Sequence, residues 1–261
     1  MNFKNLAVRL YGDYLMPSRL SEYEDLIVAI KDAGYNQTSV INAWSYIKSA
    51  GKLNATFVHR HDIDTDIATA KKIFDIERRH GVKSSFYFRL STLHVNFMRE
   101  IEEYGSEASY HYEELATYAK NNHIKSPDVL QARVGLIQEN FLKNLQKIRQ
   151  ITGLPCKTVA SHGDFANRKL GLVNHVILKD YVFRDKCNIE LESYDAELMN
   201  YFDFRMSDKP YPDFWHPLSP FEVISDKANN IFLLTHPRQW SSSILENTRE
   251  NAIRLYEGWR W

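Results

Sequence analysis

Short β-type runs that end in His or Asp alternate with helix-like stretches along most of this chain, which leaves few architectures open. Residues 55–58 (Ala-Thr-Phe-Val) are one such run, and it ends in His59-Arg60-His61-Asp62. Residues 65–79 follow with Ile67, Ala70, Ile73, Phe74 and Ile76 at helical spacing, closed near Gly81. The pattern then repeats. Strands are predicted over 82–88, 107–111 and 158–160, with further short ones at 181–184, 189–192 and 231–235. Helices are predicted over 93–104, 113–121, 128–152 and 245–258. Strands alternating with helices predict a parallel α/β sheet or a barrel made from one. In such folds the chemistry gathers where the strands end.

The first 54 residues read differently, as helices around 21–30 and 39–49 that Gly34 and Gly51 end. They are expected to form a helical extension packed on a single domain spanning 1–261. With only 10 Gly and 8 Pro, and no Ser- or Gly-rich stretch, nothing reads as a linker. Lys+Arg and Asp+Glu balance at 33 each, so bulk charge gives no attraction for nucleic acid or an anionic membrane. No run approaches the ~20 apolar residues of a membrane span. The first ten residues, interrupted by Lys4 and Arg9, do not read as a signal peptide. A cytoplasmic location is the expectation. Cys156 and Cys187 stand alone, outside any CxxC, and read as buried thiols. The 15 Tyr, 14 Phe and 5 Trp serve either a core or a cleft that stacks on sugar rings.

His61-Asp62-Ile63-Asp64 is the most pointed cluster. Two carboxylates two residues apart project to one side of an extended chain, and together they repel unless a cation or proton lies between them. Asp64 as ligand of a divalent ion, with Asp62 as a neighbouring base, satisfies both. The alternative is that Asp64 caps the helix that follows. His111, His162 and His236 each follow other predicted strands, and Gly163 removes a side chain beside His162. One Asp and two His around a single ion, with open positions, is a catalytic arrangement for zinc and non-haem iron. With Asp62 as base and His236 as acid, it suits amide or ester hydrolysis. Glu190-Leu191-Glu192-Ser193-Tyr194-Asp195 is either a cleft rim or a solvated edge.

At these residues the chain resembles the polysaccharide deacetylase superfamily (NodB-like, carbohydrate esterase family 4), in the branch associated with bacterial capsule and O-antigen clusters. The resemblance spans roughly residues 57–240. Arg60-His61-Asp62-Ile63-Asp64 is similar to the first family motif, base first and metal ligand second. Gly105-Ser106-Glu107-Ala108-Ser109-Tyr110-His111-Tyr112 resembles the second, and Leu233-Leu234-Thr235-His236 the last, whose His is the general acid. The resemblance implies a distorted (β/α) barrel that uses one divalent ion, Zn2+ in the first instance. It implies removal of N- or O-linked acetyl groups from a sugar, here a nucleotide- or lipid-linked one since no export signal is visible. Two departures stand out. The family's second metal His, four residues beyond His111, is Leu115 here, so His162 is assigned as the third ligand and His123 as its rival. Ser161-His162-Gly163-Asp164-Phe165 replaces the family's Arg-x-Pro-Tyr-Gly motif. Arg60, His61, Arg168, Trp215 and Trp240 are assigned to the substrate side, with Arg168 either holding an anionic group or pairing with a surface acid. Leu115 also leaves open a non-catalytic sugar-binding protein, and hydrolysis of a non-sugar amide is a third reading.

Overall fold

The computed structural model describes residues 3–261, with side chains described from residue 6. Nine strands form one sheet: β1 (Asn36–Thr38), β2 (Thr56–Ile63), β3 (Ser85–Phe88), β4 (Glu107–Tyr112), β5 (Thr158–Ser161), β6 (Leu191–Glu192), β7 (Phe204–Asp208), β8 (Trp215–His216) and β9 (Asn230–Thr235). Their order is β6-β5-β4-β3-β2-β9-β7-β8, with β1 beside the first half of β2. Every pairing is parallel except that of β7 with β8. The sheet curls, helices surround it, and the end strands β6 and β8 are not paired with each other. The result is a half-barrel, compatible with the expected distorted barrel.

Because strand side chains alternate, β2 to β5 present two buried faces. Ile63, Phe86, Phe88, Tyr110, Tyr112 and Val159 pack outward under the helices. Val58, Tyr87, Ala160 and Phe232 point into the curl, where the Val40–Ala50 helix meets them with Val40, Ala43 and Ile47. That helix donates the backbone N–H of Val40 to Ser85 Oγ (2.8 Å) and of Ile41 to Glu107 Oε2 (3.2 Å). Residues before 54 are therefore more than an extension. They supply a strand to the sheet and a helix to its interior.

Several sequence-based expectations need correction. Residues 181–184 are not a strand but part of the Tyr181–Cys187 helix. Asp180 caps it by accepting from the N–H of Val182 and Phe183, and Asn188 ends it in the left-handed region. The helix expected over 128–152 is two, Pro127–Gln131 and Val134–Thr152. β1, β7 and β8 gave no predicted strand; β1 and β8 are three and two residues long, and β7 is only partly buried. Both cysteines are free and buried, as expected.

Candidate metal centre

Asp62 lies near the end of β2 and Asp64 just past it, His111 near the end of β4, His162 just past β5, and His236 just past β9. These strands are parallel, so their carboxyl ends fall at one rim of the half-barrel. Three of the side chains converge. His162 Nδ1 is 3.0 Å and His111 Nε2 3.2 Å from Asp64 Oδ1, and the two ring nitrogens are 3.3 Å apart. Ligand atoms around a tetrahedral ion with bonds of about 2.0–2.1 Å stand about 3.3 Å apart. Although crowded by both rings, buried Asp64 Oδ1 has no hydrogen-bond partner of acceptable geometry. Lone pairs that meet at a common point rather than along N–H directions produce this pattern. Asp64, His111 and His162 can hold a metal ion.

The tautomer of His111 fits that use. Its Nδ1 donates to the Ala160 carbonyl oxygen at 2.9 Å, which leaves Nε2 as a lone pair facing Asp64. Burial would raise the Asp64 carboxyl, but the neighbouring imidazoles, His162 foremost, outweigh it and hold it well below the usual range. Capping of the Ile67–His80 helix falls to Asp66, which accepts from the Thr69 N–H (3.0 Å), so Asp64 is free of that duty.

Asp62 has different neighbours. Arg60 donates to it twice, Nε to Oδ1 at 2.8 Å and Nη2 to Oδ2 at 2.7 Å, with both side chains buried. Burial opposes ionisation of Asp62; Arg60 and His111 outweigh it, so the carboxylate is held below its ordinary range. Asp62 Oδ2 stands 3.4 Å from His111 Nε2. His236 is bound to Asp208, which accepts from its Nδ1 and its backbone N–H, each at 2.7 Å, and from Trp240 Nε1 at 3.1 Å. Burial works against the imidazolium, but Asp208 prevails and the His236 pKa rises to about 9.

Two cavities open on Asp64. One, of about 590 Å³, runs past Ser207, Asp208, Lys209, Tyr211 and His236. The other, of about 800 Å³, runs past Arg89, Glu113, His162, Phe165 and Arg168. Arg168 is exposed on its rim. The remaining substrate-side assignments fare differently. His61 is fully buried on the helix side of the sheet, held by Thr235 Oγ1 (2.6 Å) and Glu77 (2.8 Å), and cannot meet a substrate in the cleft. Arg60 is fully buried behind Asp62. Trp240 is buried against Tyr23 and Trp215, and its one polar atom serves Asp208. Trp215 is half-buried beside it and does not line either cavity. Leu115 is a core residue, and His123 sits exposed in a turn away from the three-residue group.

Glu113, His162 and Asp164 form a second group of potential ligands. Arg89 already holds Glu113 (2.8 Å), and Lys120 holds Asp164 (2.8 Å), which also caps a helix. Their charges are met without an ion. Asp208 is the main residue that sequence reasoning missed; its signal was an acid ending a short alternating run, Phe204-Arg205-Met206-Ser207-Asp208.

Fold and site together define an α/β half-barrel with a candidate metal-ion centre at its strand ends. Compared with known proteins, the chain matches no family model and no curated protein.

Proposed function

We propose that this protein is a metal-dependent hydrolase that removes an N- or O-linked acetyl group from a sugar, in the synthesis of a bacterial surface polysaccharide. The observation that carries the proposal is the convergence of three ligand atoms within 3.3 Å of one another, next to an Arg-held carboxylate and an Asp-held imidazole. Asp64, His111 and His162 would hold the ion, Zn2+ in the first instance by the family resemblance, with one oxygen and two nitrogen donors that suit it. Such an ion supplies Lewis acidity to an acyl oxygen and makes water acidic near neutral pH. Asp62, ionised by Arg60, takes the proton from the attacking water. His236, charged through Asp208, offers a proton to the departing amine or alkoxide in the same cleft. The sugar comes from the family resemblance; the cavities of about 590 and 800 Å³ leave room for it. His162 in place of the ligand missing at Leu115 favours a working centre over a purely sugar-binding one.

Metal analysis beside an acetate-release assay on acetylated sugars tests the reading. Asp64→Ala and His162→Ala are expected to lose bound metal, while His123→Ala keeps it. Asp62→Ala is expected to keep metal and lose about 10²–10⁴-fold in turnover. Full turnover in Asp62→Ala would remove the proposed base from the mechanism.

A further inference from the structure

The curl of the sheet stays open between β6 and the β7–β8 pair, and a separate cavity of about 440 Å³ occupies that seam. Arg60 reaches it from the inside, Tyr194 and Arg205 from either side, and His216 from the rim, over Met199 and Phe232. A guanidinium has two edges that can each grip a carboxylate. Asp62 occupies the Nε–Nη2 edge of Arg60. The remaining nitrogen, Nη1, belongs to a fully buried side chain and has no hydrogen-bond partner. An unsatisfied buried donor of this kind is uncommon and calls for a partner.

The surroundings say which partner. No carboxylate lines the cavity. Among the described residues, the side chains of Arg205 and His216 have no ion pair or hydrogen bond. Glu192, which feels the charge of Arg60, is committed elsewhere: its oxygens accept from the N–H of Ser161 (2.9 Å) and Tyr194 (2.7 Å). The Tyr194 ring lies over the guanidinium, 4.3 Å from Cζ to its centroid. Arg60 and Arg205 thus face a space otherwise walled by Met199, Met206, Phe232 and Leu234, with Asn200 and Ser207 as its uncharged polar groups.

We infer that this seam is a binding site for a small, ring-sized organic carboxylate. Its carboxylate meets the Nη1 edge of Arg60 with Arg205 alongside, and its body rests against Tyr194, Met199 and Phe232. The site shares Ser207 with the cleft but is distinct from the Asp64 centre, and it does not depend on the proposed reaction.

Calorimetric titration with benzoate, in the presence of a chelator so that no ion can capture the carboxylate, tests this. Benzoate is expected to bind, and its neutral isostere benzamide at least tenfold more weakly. Arg205→Glu is expected to weaken benzoate at least tenfold, and Ala196→Trp, at the rim, to abolish binding. Both positions are exposed, so the variants are expected to melt with the wild type. Absence of benzoate binding, equal binding of benzamide, or unchanged affinity in either folded variant overturns the inference.

Discussion

Asp62 and Asp64 are the same amino acid two positions apart, and neighbours alone separate their roles. A guanidinium holds Asp62 by two hydrogen bonds, whereas two imidazoles crowd Asp64 without bonding it properly. His236 is set by the same principle. With Asp208 removed, the largest influence raising its pKa disappears, while burial still favours the neutral ring. In Asp208→Asn the titration of His236, followed by nitrogen-resolved NMR on metal-free protein, is expected to move from about 9 down toward or below 6.5. The sign follows directly: His236 is then neutral at neutral pH, and the alkaline limb of turnover moves to lower pH. An unmoved titration would mean that Asp208 only positions the ring. The Asp pair and the three histidines were legible in the sequence because each sits at or just past the end of a predicted strand. Asp208 ends β7, which is only partly buried; the alternation of Phe204 and Met206 with Arg205 and Ser207 is the half-buried-strand signal that marks it.

At the level of elements, the polar interior of the curl is a second consequence of strand alternation. Glu107 on β4 points inward with His111, but lies deeper, where Ser85 Oγ, Thr158 Oγ1 and the Ile41 N–H all donate to it. Burial nevertheless dominates and pushes its pKa to about 7. A carboxyl whose folded pKa lies above its unfolded value stabilises the fold fully below the unfolded value, near 4.5, and that stabilisation is lost as pH rises toward 7. The full change is on the order of 3 kcal/mol. Chemical denaturation of wild type and Glu107→Gln between these pH values is expected to show a decline that the variant lacks. Parallel curves would mean that Glu107 titrates alike in both states. The sequence placed β4 correctly, but the partner of Glu107 was out of reach. A helix from residues 40–50 enters the interior of the curl, and amphipathic spacing shows only that a helix has an apolar face, not which surface it meets.

Across the whole molecule, the two ends of the chain meet over the cleft. Asp13 is the node: its Oδ1 accepts from Arg238 (3.0 Å), its Oδ2 from Asn251 (3.0 Å), and its carbonyl oxygen from Asn247 (2.6 Å). Ser242 adds bonds to the carbonyl oxygens of Gly12 (3.1 Å) and Met16 (3.0 Å). Arg9, Asp13 and Arg254 line both cavities, so this junction borders both arms of the cleft at Asp64. The Ile244–Arg260 helix has little apolar anchorage of its own. Asn247 is its one buried residue, while Leu245, Leu255 and Trp259 are exposed. A helix held by a few polar bonds, with few apolar contacts, opens at lower free energy than the sheet beneath it. Such a contact, between residue 13 and residues past 238, leaves no local pattern, which is why the early segment read only as a helical extension. Asp13→Ala is expected to speed amide exchange across 244–260 while leaving β2 to β5 protected. Since Asp13 touches none of Asp62, Asp64, His111, His162 or His236, KM is expected to rise several-fold with kcat little changed. Unchanged exchange in that helix would show that Trp261, whose indole N–H donates to the Ala119 carbonyl oxygen (3.3 Å), suffices to hold it. Substrate access would then be set by the strand-end loops alone.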